Sequence, residues 1–431
     1  MTSAPSASTA VPALTAQTSR ALGEELADGA IVAALRAQGA EAMGRLAMPS
    51  PSVDRPWKYV QAASLNIERF APPSGLAGRD GDDLPAEPGT LVQRNGVTLG
   101  CNSAIDGLTL TEFAGADEDA LAGLGSAIAA DSGRLAALHY AFLQGGIVVR
   151  ADANAELTAP VRITRGFDTA GSLTTPHTLI VTGPNSRLTV IEEHRSSDIE
   201  MVVLPVVEIL PGPGSIVHYT TLHRWGAQTR VFAEQRTITE GDAALVSLSL
   251  ATGGRVVKSH VTSSLEGRGS SSELYGLAVG GGEEHLDFYT LQDHVAADTR
   301  SDLLFKSALG GRSRAVYYGL TRVGLEARRS DANQENRNLL LSRAAKADSD
   351  PVLEILTNDV TRVSHGATAG PVNDEELFYI QSRGLTREGA MGLLVRGFLG
   401  EVLDRTKPED ALREELTALV EAKLRALGAG A

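Results

Sequence analysis

Residues 347–384 read ADSDPVLEILTNDVTRVSHGATAGPVNDEELFYIQSRG, and within this stretch the chain changes from strand-like to helix-like sequence. The first half is rich in valine, isoleucine and threonine, which predicts strands at 352–356 and 360–363. Ser-His-Gly follows, and Gly366 permits a turn there. His365 is therefore expected at a junction between two rigid elements. A lone imidazole there makes chemical sense as a metal ligand only if its co-ligands come from elsewhere, which points to an interface.

The second half of this stretch predicts the start of a helical tail. Asn373 is a suitable N-cap with Glu376 three residues later, and Gly384 can adopt the left-handed conformation that ends a helix. Three tail helices are expected at about 374–383, 387–404 and 409–427. In the second helix, one apolar stripe is expected to contain Ala390, Leu393, Leu394, Phe398 and Val402.

Upstream of this stretch, the chain consists of successive β-like runs without a helical pattern between them. These runs lie at 146–151, 160–165, 178–183, 187–192, 200–210, 215–225, 229–239, 243–250, 256–264, 272–279, 284–291 and 314–320. A sandwich, a barrel or a β-solenoid could hold them. The runs lack the Asn-Gly and Asp-Gly turns of hairpins, and aromatic residues are only 4% of the chain, which favours thin stacked rungs. We therefore predict a mainly β protein with a β-solenoid core of about eight to ten turns, at roughly 20–30 residues per turn.

Helical patterns at 19–48 and about 117–143 precede the β region, with a Pro/Gly/Asp-rich loop at 71–89 between them. Both the N-terminal region and the tail are expected to cap the open ends of the solenoid. The predicted regions are a disordered tail at 1–17, a mostly helical N-terminal region at 18–145, a β-helix core at 146–366 and a C-terminal helical domain at 367–431.

Composition narrows the function classes. The 431 residues carry a net charge of −14, which argues against binding to nucleic acid or anionic membranes. A single cysteine, Cys101, excludes an internal disulfide and a cysteine-only metal site within one chain, and is expected to be a small buried hydrophobe. No secretory signal and no apolar run of about 18 residues is found, so we expect a cytoplasmic protein.

Few residues carry recognisable chemistry. His365 is either a borderline metal ligand or simply a residue that hydrogen-bonds its turn. The other histidines are scattered and are expected to be surface or satisfied polar residues. No phosphate-binding glycine motif is present, so the chain is not expected to bind a nucleotide itself.

Several short motifs together resemble the SufD branch of the SufB/SufD family of iron–sulfur cluster assembly scaffolds. The C-terminal motifs are Asp348-Ser349-Asp350-Pro351, Leu353-Glu354-Ile355, Ser364-His365-Gly366-Ala367-Thr368, Leu377-Phe378-Tyr379 and Ser382-Arg383-Gly384. A weaker N-terminal motif consists of Arg55, Trp57, Lys58 and Tyr59. Many members of this branch have cysteine two residues before the histidine, whereas this chain has Val363. The lack of any cysteine after Cys101 is similar to the SufD branch and unlike the SufB branch.

The resemblance implies a right-handed parallel β-helix and a non-catalytic role. His365 would contribute to a transient iron–sulfur cluster shared with a SufB-like partner at their interface. A SufC-like ABC ATPase would dock on the tail at Leu377, Phe378, Tyr379, Arg383, Gly384, Leu385 and Phe398. Whether the chain forms a homodimer on its own stays open.

Two other hypotheses compete with this one. A β-helix carbohydrate-active enzyme, such as a polysaccharide lyase or hydrolase, would need charged groups on one solenoid face. Its candidate groups are Glu326, Arg328, Arg329 and Asp331. The lack of a signal peptide and of sugar-stacking aromatic residues argues against it. A metal-free assembly protein is the other alternative, and replacement of His365 by alanine would separate it from a cluster scaffold.

Overall fold

The centre of the protein is a β-solenoid of two long sheets. The computed structural model describes residues 14–73 and 87–428. From residue 146 onward, successive strands alternate between the two sheets, and nearly all neighbouring strands run parallel. Each sheet contributes eight strands to this winding, so the solenoid has about eight turns. The prediction of a mainly β protein with a β-solenoid core is confirmed.

The strand bounds show how long and regular the turns are. In pairing order, the first sheet consists of β2 (Val97–Asn102), β1 (Thr90–Arg94), β5 (Val161–Phe167), β8 (Arg187–Ser196), β11 (Ile216–Trp225), β13 (Ala244–Gly253), β15 (Ser271–Gly280), β17 (Arg300–Leu309), β19 (Ser330–Leu340) and β21 (Val360–Pro371). The second sheet consists of β20 (Lys346–Ile355), β18 (Arg314–Val323), β16 (His285–His294), β14 (Val256–Leu265), β12 (Thr229–Thr239), β10 (Val206–Pro211), β7 (His177–Thr182), β4 (Gly146–Ala151) and β3 (Leu108–Glu112). The short strands β6 (Leu173–Thr174) and β9 (Met201–Val203) pair with each other, and β9 pairs with β12.

In-register stacking explains why the core needs few aromatic residues. Leu188, Val217 and Leu245 occupy matching positions on β8, β11 and β13, and each is almost completely buried. Columns of this kind fill the interior with aliphatic side chains at the close packing typical of protein cores.

One corner of the solenoid carries a residue in the left-handed conformation in seven successive turns. The residues of this corner column are Asn154, Asn185, Gly214, Asp242, Gly269, Asp298 and Arg329, with φ between 56° and 76°. The backbone N–H of each donates to a carbonyl of the next turn, as from Asn185 to Pro213 (2.9 Å). Asn, Asp and Gly tolerate this conformation best, which explains most of the residue types in the corner column.

The helices of both flanking regions lie on the outer faces of the solenoid, and only the N-terminal region covers an end as predicted, through strands and not through helices. The helices α1 (Ala16–Glu25), α2 (Ala30–Arg45) and α3 (Arg134–Ala141) belong to a cluster packed on the second sheet through Val202 and Phe232. The helices α5 (Arg387–Thr406) and α6 (Asp410–Ala426) pack on the first sheet, whereas α4 (Asp374–Gln381) contacts α5. The first end is covered by β2 and β3, which pair antiparallel to β1 and β4.

The tail helices agree with the prediction, and three upstream details do not. Asn373 accepts hydrogen bonds from the first turn of α4, and Gly384 has a φ of 96°. The helix predicted at 19–48 is split by Ala27, whose φ is 53°, and the helix predicted at 117–143 is reduced to α3. The predicted turn at Gly366 is wrong, because β21 continues through this residue to Pro371.

Two predicted segments fall largely outside the described residues. Most of the predicted disordered tail at 1–17 and of the loop at 71–89 lies outside the described residues. The division into four regions stays a prediction. In the part of the chain that the structure describes, no helix is long and apolar enough to cross a membrane.

Candidate functional site

The last turn of the solenoid, formed by β20 and β21, is an open end. Within the described residues, β20 pairs only with β18, and β21 pairs only with β19. His365 follows Leu274, Leu303 and Gln334 in the register of the first sheet, all three of which are buried in the interior. The register therefore places His365 on the inner face of the sheet. It is exposed because no further turn follows.

The rest of the open end is a cross-section of the core. Val363, Ala367 and Ala369 share the inner face of β21 with His365, since β-strand side chains alternate between faces. On β20, Ser349 continues a column that contains the buried Tyr317. Small and apolar groups with one imidazole are thus open to solvent, as at surfaces that bind a partner.

A layer of polar side chains lies directly beneath the open end. Gln334 Nε2 donates to the carbonyl of Gly319 (3.1 Å), and Gln334 Oε1 accepts from Thr321 Oγ1 (2.7 Å). Asn338 Nδ2 donates to Asn336 Oδ1 (2.7 Å). Because these amides are buried and hydrogen-bonded, they form a rigid layer beneath His365.

The open end offers one metal-capable side chain. Among the described residues, no group of three or more His, Cys, Asp or Glu side chains could hold a metal ion. Cys101 lies on β2, at the opposite edge of the first sheet from β21, so it cannot join His365 in one site. It is half-buried, and burial together with the charge of Glu112 raises the pKa of its thiol. Within the described residues, His365 therefore does not belong to a complete metal site.

The predicted ATPase-docking residues divide into exposed and packed groups. Phe378, Tyr379 and Leu385 are 73%, 59% and 39% exposed, respectively. Arg383 lies over the Tyr379 ring, with its guanidinium carbon 4.7 Å from the ring centroid. Gly384 is exposed at the turn that follows α4.

Leu377 and Phe398 belong to the packed group. Leu377 is 1% exposed. The Lys306 ammonium lies 4.4 Å from the Phe398 ring centroid and donates to the Phe398 carbonyl, so Phe398 faces the solenoid. Leu393, which was expected on the apolar stripe, is 46% exposed because the buried face of α5 runs instead through Val395 and Leu399.

The N-terminal motif spans the outer face of the second sheet and reaches the open end. Arg55 is exposed, whereas Trp57 is buried and stacks on Phe232, with ring centroids 5.7 Å apart. Lys58 forms an ion pair with Asp350 on β20 (3.2 Å). The Arg314 guanidinium lies 4.6 Å from the centroid of the Tyr59 ring, which completes this contact. The structure thus brings together the two motifs that carried the resemblance.

Two of the charged residues considered for a carbohydrate enzyme, Arg329 and Asp331, are held in ion pairs. Arg329 makes a two-pronged ion pair with Asp298, at 2.6 and 2.7 Å. Asp331 accepts from Arg362 at 2.9 Å. Both ion pairs link neighbouring turns, so these residues stabilise the stacking of the turns at the surface.

Buried polar networks were not foreseen from the sequence. His177 Nε2 lies 3.2 Å from Glu208 Oε2, and Glu208 also accepts from backbone N–H groups, including that of Ile128. Burial acts to raise the pKa of Glu208, but the contact with His177 and the backbone hydrogen bonds keep it lowered. In the sequence, these networks could have been recognised from charged residues at inward positions of otherwise apolar strands, such as Glu192.

The comparisons with known proteins identify relatives of this chain. Residues 164–398 match the family described as SUF system FeS cluster assembly, SufBD core domain. An iron–sulfur cluster assembly SufBD family protein of Mycobacterium leprae is 30% identical over 308 residues, which cover 68% of this chain and 75% of that protein. The iron–sulfur cluster assembly protein SufD of Bacillus subtilis is 26% identical over 299 residues, 68% of either chain. The chain therefore belongs to the SufBD family of SUF iron–sulfur cluster assembly proteins.

Proposed function

We propose that this chain is a non-catalytic scaffold subunit of a cytoplasmic SUF complex and pairs through its open end with a SufB-like partner. The observation that carries the proposal is the exposed cross-section of the core around His365. An apolar surface of this kind is stabilised when a partner covers it. The edges of β20 and β21 add unpaired backbone groups that a partner strand can bind.

A transient iron–sulfur cluster fits this interface as cargo. Iron–sulfur clusters are usually held by thiolates, and imidazole can replace some of them. This chain supplies the imidazole of His365 and has no cysteine beyond Cys101. The partner therefore supplies the remaining ligands, and neither chain holds the cluster alone.

A SufC-like ABC ATPase is the second proposed partner, docked on the turn that contains Phe378, Tyr379, Arg383 and Leu385. Exposed aromatic residues next to an arginine are typical of binding hot spots. A conformational change of the ATPase would then be transmitted to the solenoid through α5, which is packed on the first sheet. ATP hydrolysis would belong entirely to that partner.

The test is co-expression with the SufB-like and SufC-like proteins of the same organism, followed by anaerobic cluster reconstitution with iron and sulfide. We expect the His365→Ala variant to form the complex normally, since the side chain is exposed, and to yield less cluster. His218→Ala, on β11, is the matched control and should leave the cluster yield unchanged.

Each other outcome has a definite meaning. Normal cluster yield from His365→Ala would support the metal-free assembly protein. Efficient cluster assembly by this chain without partners would contradict a shared site, and failure to form any complex would contradict the scaffold role.

A further inference from the structure

A second candidate site lies between the N-terminal segments and the outer face of the second sheet, and its lining does not include His365. An open cavity of about 470 Å³ is lined by residues 47–57, by residues 132–136 and by side chains of β12 and β14. This volume is in the range of small-molecule sites. It opens beside Val53, which is 80% exposed.

Most of the charged groups that line the cavity already have partners. Arg134 pairs with Glu68 outside the cavity (3.0 Å). Lys258 pairs with the buried Asp287 (2.8 Å) and donates to the carbonyl of Pro56. Asp54 accepts from a backbone N–H in the same loop. These groups build the walls and have little capacity left for a ligand.

Glu234 and Arg236, which lie two residues apart on β12, differ from these groups because neither has a partner of opposite charge within ion-pair distance among the described residues. Among the residues that the structure describes, the Glu234 carboxyl makes neither a hydrogen bond nor an ion pair. Burial acts most strongly on its pKa and raises it, against the opposing charge of Arg236. Arg236 donates only to the neutral acceptors Thr262 Oγ1 (3.3 Å) and the Ala127 carbonyl (3.1 Å), and no carboxylate of the described chain lies within ion-pair distance. Both side chains are partly buried, and each can still pair with a group of opposite charge on a ligand.

His260 adds a third unmatched group to the same wall. Its Nε2 atom is buried and has no hydrogen-bond partner within the described ranges. Its ring lies against Trp57 and Tyr289, with centroid separations of 5.8 and 5.0 Å. A neutral imidazole can donate or accept at Nε2, so it can bind either an amine or a carboxylate.

We propose that this cavity binds a small zwitterion of the amino-acid class, with its ammonium group on Glu234 and its carboxylate on Arg236. The two side chains lie on the same face of one strand, so a single molecule that carries both charges can reach both. Trp57, Phe232 and Met48 provide an apolar wall for the rest of the ligand. This inference does not depend on the SUF complex or on His365.

The experiment screens the twenty standard L-amino acids one at a time against the isolated full chain by calorimetry at millimolar concentrations. For the best binder, the same side chain is then offered as the N-acetyl amino acid, which lacks the ammonium group, and as the amino acid amide, which lacks the carboxylate. We expect each derivative to bind at least about tenfold more weakly, because it leaves one charged group of the wall unpaired.

Matched variants identify the site. Glu234→Gln and Arg236→Gln should each weaken binding at least about tenfold, whereas Glu240→Gln and Arg255→Gln, both at exposed positions, should not change it. Glu234→Gln should also leave the melting temperature of the free protein equal or higher, since it removes a partly buried carboxyl that has no partner among the described residues. Failure of all twenty amino acids to bind would overturn the proposal and identify a hydrated cavity only. Binding that survives both variants would also overturn it.

Discussion

Buried histidines give the solenoid a specific sensitivity to acid. His294 is fully buried and hydrogen-bonds Thr299 and Ser301 at 2.8 Å each, and burial lowers its pKa to about 4. His223 is 4% exposed, and burial with the nearby charge of His194 lowers its pKa to about 3. In the unfolded chain both would titrate near pH 6.5. Below this pH the unfolded state binds protons that the folded state does not, so the free energy of unfolding falls as the pH falls.

The pH dependence of His294 can be measured directly. For each such histidine, the free energy of unfolding should fall by at most about 1.4 kcal/mol per pH unit between pH 6.5 and its folded pKa. His294→Gln should reduce the slope between pH 6 and pH 5 by about this amount. Urea denaturation of the variant and the parent over pH 4.5–7.5 would show the difference, with pH 7.5 as the reference. An identical slope would mean that His294 is protonated in the folded state.

Residue type alone could not reveal these environments. The scattered histidines were expected to be surface or satisfied polar residues. Five of them are at most 4% exposed: His139, His177 and His294, whose ring nitrogens all have partners, and His194 and His223, which each keep one buried nitrogen without a partner among the described residues. Strand alternation predicts which residues share a face, but it does not say which face is buried when both faces of a sheet are covered by other elements. His365 was identified from its motif and its position at the end of the β region.

At the scale of elements, the end of α4 and the turn after it form a surface that can be tested separately from the solenoid. Phe378 and Tyr379 are exposed on a helix that contacts mainly α5, so their truncation should leave the fold intact. We expect the double variant Phe378→Ala/Tyr379→Ala to weaken binding of the SufC-like ATPase at least about 30-fold, as loss of a hot spot of about 2 kcal/mol would do. Leu325→Ala, also at an exposed position (66%), is the matched control in the same calorimetric titration. Equal affinity of both variants would exclude this docking surface.

The sequence identified most strands of the solenoid but missed those whose inward positions are polar. The strand β19 buries Gln334, Asn336 and Asn338 at alternate positions, and their amides donate to backbone carbonyls of other strands. Asn is normally depleted in strands, so the β propensity of this segment is low. The strand β17 was missed too, because it begins Arg-Ser-Asp and carries Lys306 among its apolar residues.

The feature of the sequence that recurs regularly along the solenoid lies in the turns between strands. The corner column recurs at intervals of 27 to 31 residues, as from Asp242 to Gly269 and from Asp298 to Arg329. The interval varies because each turn needs only one left-handed residue, and loops of different length can provide it. A search for a fixed period therefore finds no repeat, whereas a search for Asn, Asp or Gly at variable spacing would have found most of it.

At the scale of the whole molecule, the two ends of the solenoid differ. Antiparallel strands cover the first end, and both outer faces carry helices, whereas the last turn is uncovered in the described structure. Pro351 on β20 lacks a backbone donor, which makes indiscriminate pairing with other edges less favourable. The contact from Lys58 to Asp350 further holds β20 in place. An open end that is apolar and whose edge strand is held in place is suited to binding one specific partner.

Ala367→Lys tests whether the partner covers this end. The position lies on the inner face of β21 two residues from His365 and is exposed, so the isolated chain should fold with an unchanged melting temperature. Within an interface the added ammonium would be buried without a partner, and we expect the affinity for the SufB-like chain to fall at least about 100-fold. The control is Ala170→Lys, which adds the same charge at an exposed loop position. Calorimetry measures the affinity, and sedimentation of each variant alone shows whether the same end also joins two copies of this chain. Equal affinities of the two variants would mean that the partner binds elsewhere, and His365 would then lie outside the shared site.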